Sequence, residues 1–397
     1  MWRHPLAVGV LAAASSLISA GPASAEDLGA WRAIPLNFTW GPERGVTDLE
    51  ATGPAEAWVS GFQGALTVYG PVYNPPYPGA PSEPSPVIFT VNPKPVLQRW
   101  TGGTGWTGYS PPGMGGEGII RAVASTAPND VWFCGNTWSW GKVVPWAARY
   151  GGQKIEQTTT PLTGTCTGIA VLGSDVFLSE VGRVHRFHDG AWTSFDADQP
   201  AFTLSDPEAG LYAKVGGVLH RWDGSGFAPL PAALTAEPLL ITQKHGFWTF
   251  RESGPFRWDG AAWQPVEKPA HYSVPYGFTN GTWNTVYYTD ADGPWFAPYT
   301  TDRNASIYHW NGTGWDAFAP NFADSSSAQL PRGLRDDGSG RVWAVVDGER
   351  SYLDGTTWTQ VPEAADVESF RALPGGKVLA YKVGDGGITA KTTAPLP

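Results

Sequence analysis

A seven-residue unit recurs along this chain of 397 residues and restricts what it can fold into. Its clearest copy is RWDGAAW, residues 257–263. The pattern is an aromatic residue or Leu, then Asp or Asn, then Gly, two small residues, and Trp or Phe. It returns as RWDGSGF (221–227), HWNGTGW (309–315) and YLDGTTW (352–358), and more loosely as RWTGGTGW (99–106) and RFHDGAW (186–192). Asp-Gly and Asn-Gly mark tight turns, because Gly carries no Cβ penalty at φ > 0 and Asn or Asp tolerates the left-handed region. Before the turn, Val218-Leu219-His220-Arg221-Trp222 alternates apolar and polar; after it, Trp263-Gln264-Pro265-Val266 alternates and meets Pro. The unit therefore reads as strand, turn, strand, stop.

A second segment precedes each hairpin. It is an alternating strand: EAWVSG (56–61), DVWFCG (130–135), DVFLSE (175–180), GLYAKV (210–215), GFWTFR (246–251), TWNTVYY (282–288), RVWAVVD (341–347) and KVLAYKV (377–383). The shortest spacing, Phe177 to Tyr212 to Trp248, is about 35 residues, near the minimum for four short strands and three turns. No long stretch of the mature chain carries a helical period. The abundance of Gly (50), Pro (36) and Trp (21) suits many turns and packed sheet faces. The ends are complementary. Residues 29–35, GAWRAIP, are the second half of a hairpin without its first. Residues 367–373, 377–383 and 388–394 read as three strands without a fourth. Pairing the two fragments closes a ring and removes the sheet edges of a linear array. The expected fold is all-β, a β-propeller of eight four-stranded blades, with seven as the alternative if one end unit stays outside the ring.

Residues 1–25 read as a secretory leader: Arg3 and His4, an apolar run over 6–14, and the A-x-A site Ala23-Ser24-Ala25. The run is too short to span a bilayer. Cleavage near Ala25 leaves residues 26–397 as a single propeller domain, secreted or periplasmic. A net charge of −10 argues against nucleic acid, which needs a basic footprint, and nothing in the mature chain suggests membrane insertion. A monomer is expected. Three units are longer than the rest, with inserts at about 66–95, 136–145 and 289–304. All three fall between second and third strands, on the face shared with the connections between blades and opposite the Asp-Gly turns.

The segment APNDVWFCG (127–135), followed by RYGG (149–152), resembles secreted bacterial β-propeller repeat proteins, which pair a DVWAVG-like strand with a hairpin of the WDGxxW type. The resemblance covers nearly all the mature chain and implies fold. The unit is also distantly similar to the sialidase Asp-box, but here Gly follows Asp directly. No catalytic residue is carried over from either.

Candidate chemistry lies mainly in the inserts. Cys134 and Cys166 fall in adjacent units and are expected to form a disulfide in an oxidising compartment. Aromatic rings offer large contact area at little entropic cost, as glycan or protein binding needs. Tyr69, Tyr73 and Tyr77 lie in the first insert, Trp138 and Trp140 in the second, and Trp295, Phe296 and Tyr299 in the third. Asp290, Asp292 and Asp302 are candidate calcium ligands, although the later Glu of an EF-hand loop is missing. No other cofactor is implied. Four histidines (His185, His188, His220, His309) occupy hairpin positions and read as structural. His271, on a connection between blades, is the candidate acid or base. Familiar nucleophile, zinc and nucleotide motifs are absent. The favoured reading is a non-catalytic secreted propeller that binds a glycan or an extracellular protein on its long-loop face. The alternatives are a hydrolase or lyase acting on extracellular polysaccharide, and a structural cell-surface repeat.

Overall fold

The computed structural model describes residues 31–36, 43–69, 87–198, 210–235, 240–242, 246–269, 272, 285–289, 294–298, 307–318, 332–336, 342–346, 349–354, 357–362, 369–373, 377–384 and 387–393. The leader read at residues 1–25 lies outside them. Among these residues the chain forms eight antiparallel sheets, here numbered in chain order. Sheets 1 to 7 span residues 43–108, 118–157, 166–196, 212–229, 240–265, 285–318 and 332–360. Sheet 8 joins the strands Ser369–Leu373, Lys377–Gly384 and Gly387–Thr392 to the early strand Arg32–Pro35. Arg32 pairs with Thr392 and Pro35 with Thr389. The only helix described is one turn, Ala232–Thr235.

Packing runs from each sheet to the next. Trp58 of sheet 1 packs with Phe133 of sheet 2. Trp132 packs with Leu178 of sheet 3, and Phe177 with Ala213 of sheet 4. Tyr212 meets Phe247 of sheet 5 edge-on at 5.9 Å. Trp248 then packs on Trp310, Trp295 on Ala344, and Trp343 on Ala380. Leu379 and Ile34 of sheet 8 pack with Val59 and Trp100 of sheet 1. Sequential sheets stacked face to face, with the first strand completing the last sheet, make the molecule a β-propeller.

One cross-strand pair repeats between the strand that leads into the hairpin and its neighbour: Trp58 opposite Arg99, Trp132 opposite Arg149, Phe177 opposite Arg186, Tyr212 opposite Arg221 and Trp248 opposite Arg257. The Arg149 guanidinium sits 5.3 Å from the Trp132 ring centre, a cation–π contact on the blade surface. The acidic residue opening the second strand grips the same Arg: Glu56 with Arg99, Asp130 with Arg149, Asp175 with Arg186.

In sheet 6 the equivalent pair is Trp295 opposite His309, stacked at 4.3 Å. The second strand of that sheet is therefore Pro294–Pro298, and Thr285–Thr289 is its first. The sequence expectation had these elements shifted by one strand, because TVYYT alternates as well as WFAP does. The expected insert at 289–304 thus contains a core strand.

At 186–192 the turn is as expected, with Asp189 and Gly190 both at positive φ (47° and 80°), but three other hairpin turns differ in mechanism from the sequence reading. In three copies the loop has four residues, closed by pairs such as Trp222 with Phe227 and Trp258 with Trp263. Only the Gly takes positive φ: 102° at Gly224, 106° at Gly260 and 105° at Gly312. The Asp or Asn before it instead caps the loop. Asp259 Oδ1 accepts the Ala261 and Ala262 N–H groups at 2.8 Å each, and Asn311 Oδ1 accepts those of Thr313 and Gly314 at 3.0 Å. This explains why Asp and Asn interchange: both offer the same oxygen. The Trp after the turn has its own task. Trp192 Nε1 donates to Thr159 O (3.0 Å), Trp263 to Ala233 O (3.1 Å) and Trp315 to Glu267 O (2.7 Å). Each acceptor lies just beyond the last strand of the preceding sheet. Trp106 of sheet 1 donates to Ile34 O at 3.2 Å, so Arg32–Pro35 takes the same place in front of sheet 1.

Candidate functional site

The second and third strands of sheet 2, Asp130–Ser139 and Lys142–Tyr150, stay paired far past the length the blade needs. The expected insert at 136–145 is therefore a rigid two-stranded extension. Asn136 pairs with Pro145, Thr137 with Val144, Trp138 with Val143 and Ser139 with Lys142. Trp140 and Gly141 make the turn with φ of 51° and 72°, both left-handed, as a type I′ hairpin requires. The end of the blade at which it lies is opposite the Asp-Gly turns.

The base of this finger is fastened on two sides by the connections between blades. The Cys134–Cys166 disulfide ties sheet 2 to sheet 3 across a Cα separation of 6.0 Å, with both cysteines fully buried. The buried Asn136 side chain accepts the Cys166 N–H at 3.2 Å. On the other flank the Thr137 hydroxyl lies 2.8 Å from Met114 O and 2.6 Å from Glu117 O. Trp146 Nε1 donates to Pro112 O at 2.7 Å. Gly135 permits the close approach beneath: a Cβ there would sit 2.0 Å from Ile119 O. Farther back, Glu180 holds the 158–166 connection by accepting the Thr163 N–H at 2.8 Å and the Gly164 N–H. Burial pushes the Glu180 carboxyl upward, but hydrogen bonds from Gly164, His185 and Thr163 outweigh it and hold it below its ordinary value.

The tip has the opposite character. Trp140 is 99% exposed, and Val143 and Val144 are 49% and 38% exposed. Trp138 is half-buried. Between Asp130 and Arg149 the only charged residue is Lys142. A Trp at φ > 0 is an outlier for a bulky residue, held at a cost of roughly 1–2 kcal/mol. Neither turn chemistry nor core packing accounts for that residue at that position.

Of the other sequence candidates, Tyr69 ends the strand Glu56–Tyr69 and pairs with Val87, so the first insert also begins as a strand extension. Its side chain is outside the described residues, as are Tyr73, Tyr77, Tyr299, His271, Asp290, Asp292 and Asp302. Trp295 and Phe296 are described and buried, at 4% and 0% exposure. Trp295 belongs to the packing between sheets 6 and 7, and Phe296 stacks on Tyr272 at 5.4 Å. Both rings serve the core, which corrects their expected place on a ligand face. The disulfide is formed as expected. Among the described residues no cluster of three metal-ligating side chains occurs, and no helix is long and apolar enough to cross a membrane.

The molecule is thus a β-propeller with a braced apolar finger. No protein-family model matches the sequence, and no curated protein matches it. Solved structures do. YCF48 bound to D1 peptide is 15% identical, with 94% of this chain and 98% of that one covered and a TM-score of 0.46. YCF48 from Cyanidioschyzon merolae is 14% identical over 91% of this chain and 98% of that one, with a TM-score of 0.43. The extracellular domain of the one-component system BT4673 from B. thetaiotaomicron is 10% identical over 90% of this chain and 58% of that one, with a TM-score of 0.24. Likenesses at these values carry no information about ligand or reaction.

Proposed function

We propose that this chain is a secreted or periplasmic β-propeller binding protein, and that its partner is an extracellular protein engaged through the finger of sheet 2. The observation that carries this reading is Trp140, fully exposed on left-handed backbone at the end of a braced hairpin. A residue that raises the energy of the free protein and touches nothing in it is explained by what it touches elsewhere. The flanking Val143 and Val144 favour a protein over a glycan. A sugar ring needs hydrogen-bonding side chains around the stacked aromatic, and the tip supplies only Ser139 and Lys142. An apolar pocket needs area, and Trp is the residue most often found as the anchor of such a contact. The bracing lowers the ordering cost of binding. A buried disulfide supports the oxidising compartment.

The test compares the mature protein with its Trp140→Asn variant. Both are presented to secreted proteins of the source organism and to a glycan array. A protein ligand weakened at least about thirtyfold by the substitution, some 2 kcal/mol, fits an anchor residue. A ligand bound equally by both forms sinks the finger reading. A glycan lost with Trp140 keeps the site and replaces the partner class.

A further inference from the structure

A second arrangement, independent of the finger tip, lies on the face of sheet 3 turned toward sheet 2. One residue before the cross-strand Arg, or before His309 and Tyr352 that stand in its place in sheets 6 and 7, the other sheets with such a pair carry Gln98, Ala148, His220, Phe256, Tyr308 and Ser351. Sheet 3 carries His185 there, 0% exposed, beside Glu180 at 1%. Packing does not call for an ionisable pair at this depth, because such a pair gains little over a well-packed hydrophobe. His185 Nε2 lies 3.0 Å from Glu180 Oε1, and His185 Nδ1 lies 2.8 Å from Ser194 Oγ. Ser194 stands directly opposite His185 on the outermost strand, Ala191–Asp196, and is exposed.

The proton positions follow from the partners. Glu180 already accepts the Thr163 and Gly164 N–H groups and the Thr163 hydroxyl, so it acts as an acceptor-only carboxylate. In the neutral ring the proton must then sit on Nε2, facing Glu180. That leaves the Nδ1 lone pair facing Ser194, whose hydroxyl donates to it. A serine donating to an imidazole that is oriented by a carboxylate is the arrangement that activates a hydroxyl nucleophile. Trp192, two residues along the strand and on the same face, offers apolar surface beside it.

We propose that Ser194 is a reactive surface nucleophile that accepts acyl or phosphonyl groups bearing an apolar substituent. With a fluorophosphonate, Ser194 Oγ attacks phosphorus, the O–P bond forms and the P–F bond breaks. Fluoride leaves, and the hydroxyl proton passes to His185 Nδ1. The imidazolium so formed is held by Glu180. The product is a stable adduct on the strand.

The experiment incubates the folded full chain with a biotinylated alkyl fluorophosphonate and maps the adduct by peptide mass spectrometry. Expected is labelling at Ser194 approaching one per molecule, abolished in Ser194→Ala and slowed at least tenfold in His185→Asn. Ser225, exposed and bonded to Asp223 without an imidazole, is the internal reference. Labelling of Ser194 no faster than Ser225, or equally fast in heat-denatured protein, overturns the proposal and leaves the relay a packing feature. Should His185→Asn fail to fold by its thermal melt, Glu180→Gln replaces it, with slower labelling expected and an unchanged rate again decisive against the proposal.

Discussion

Two single residues in this chain stand in opposite relations to their surroundings, Trp140 against them and Glu180 held by them. Trp140 occupies a turn position suited to Asn, Asp or Gly. Trp140→Asn is expected to leave the fold intact and to raise unfolding stability by up to about 1 kcal/mol, read by urea titration. A fall in stability would show that the ring packs within the protein. Glu180 is the other residue. Its depressed folded value means that its contribution is complete at neutral pH and disappears as pH falls through that value. Between about pH 7 and about pH 3, Glu180→Gln is expected to lose less stability than the wild type, an order that denaturation at the two pH values reads directly. The sequence marked the finger's aromatics but not their cause. Trp140 contradicts turn propensity, so only the backbone reveals the type I′ turn. The bracing by Pro112, Met114 and Cys166 joins segments that no local pattern connects. The serine opposite His185 was legible in principle, since the Asp189-Gly190 turn pairs His188 with Ala191 and so fixes the register of both strands.

At the scale of elements, the hairpin was readable because its copies solve one local problem with a small set of residue types. In the copies at 257–263 and 309–315 the Asx oxygen closes the loop, Gly supplies the positive φ, and Trp reaches back to the sheet before. Trp315→Phe keeps an aromatic ring and removes one inter-sheet bond, Nε1 to Glu267 O, at a cost of about 1 kcal/mol. Trp263→Phe is expected to cost a similar amount, and the double variant the sum, because the two bonds share no partner. Chemical denaturation of the three variants checks both size and additivity. Sheet 6 was misread by one strand because alternation alone does not say which of two neighbouring strands comes second. The aromatic–Arg pairing does, with His309 in place of Arg, but it is a relation between strands and becomes visible only with their register.

For the whole molecule, stability is shared between local hairpins and a few long-range ties. Replacing Cys134 and Cys166 together by Ala is expected to cost about 3 kcal/mol. Because both cysteines are fully buried, reductant should leave the native bond intact and cleave it only alongside unfolding, which thiol trapping during a denaturant titration follows. Removing the strand Arg32–Pro35 is expected to do more. It uncovers the outer edge of Gly387–Thr392 and strips sheet 8 of the buried Ile34, so the shortened chain should self-associate more than the full chain in size-exclusion chromatography. The same pairing governs the order in which the structure can be completed. The earliest strand among the described residues is the last to acquire a neighbour, since its partner is synthesised more than 350 residues later. Every other sheet can form from residues close in sequence while this one waits. Relocating the chain ends to a surface turn elsewhere, by joining the present ones through a short linker, would convert that final step into an ordinary local hairpin and hasten maturation.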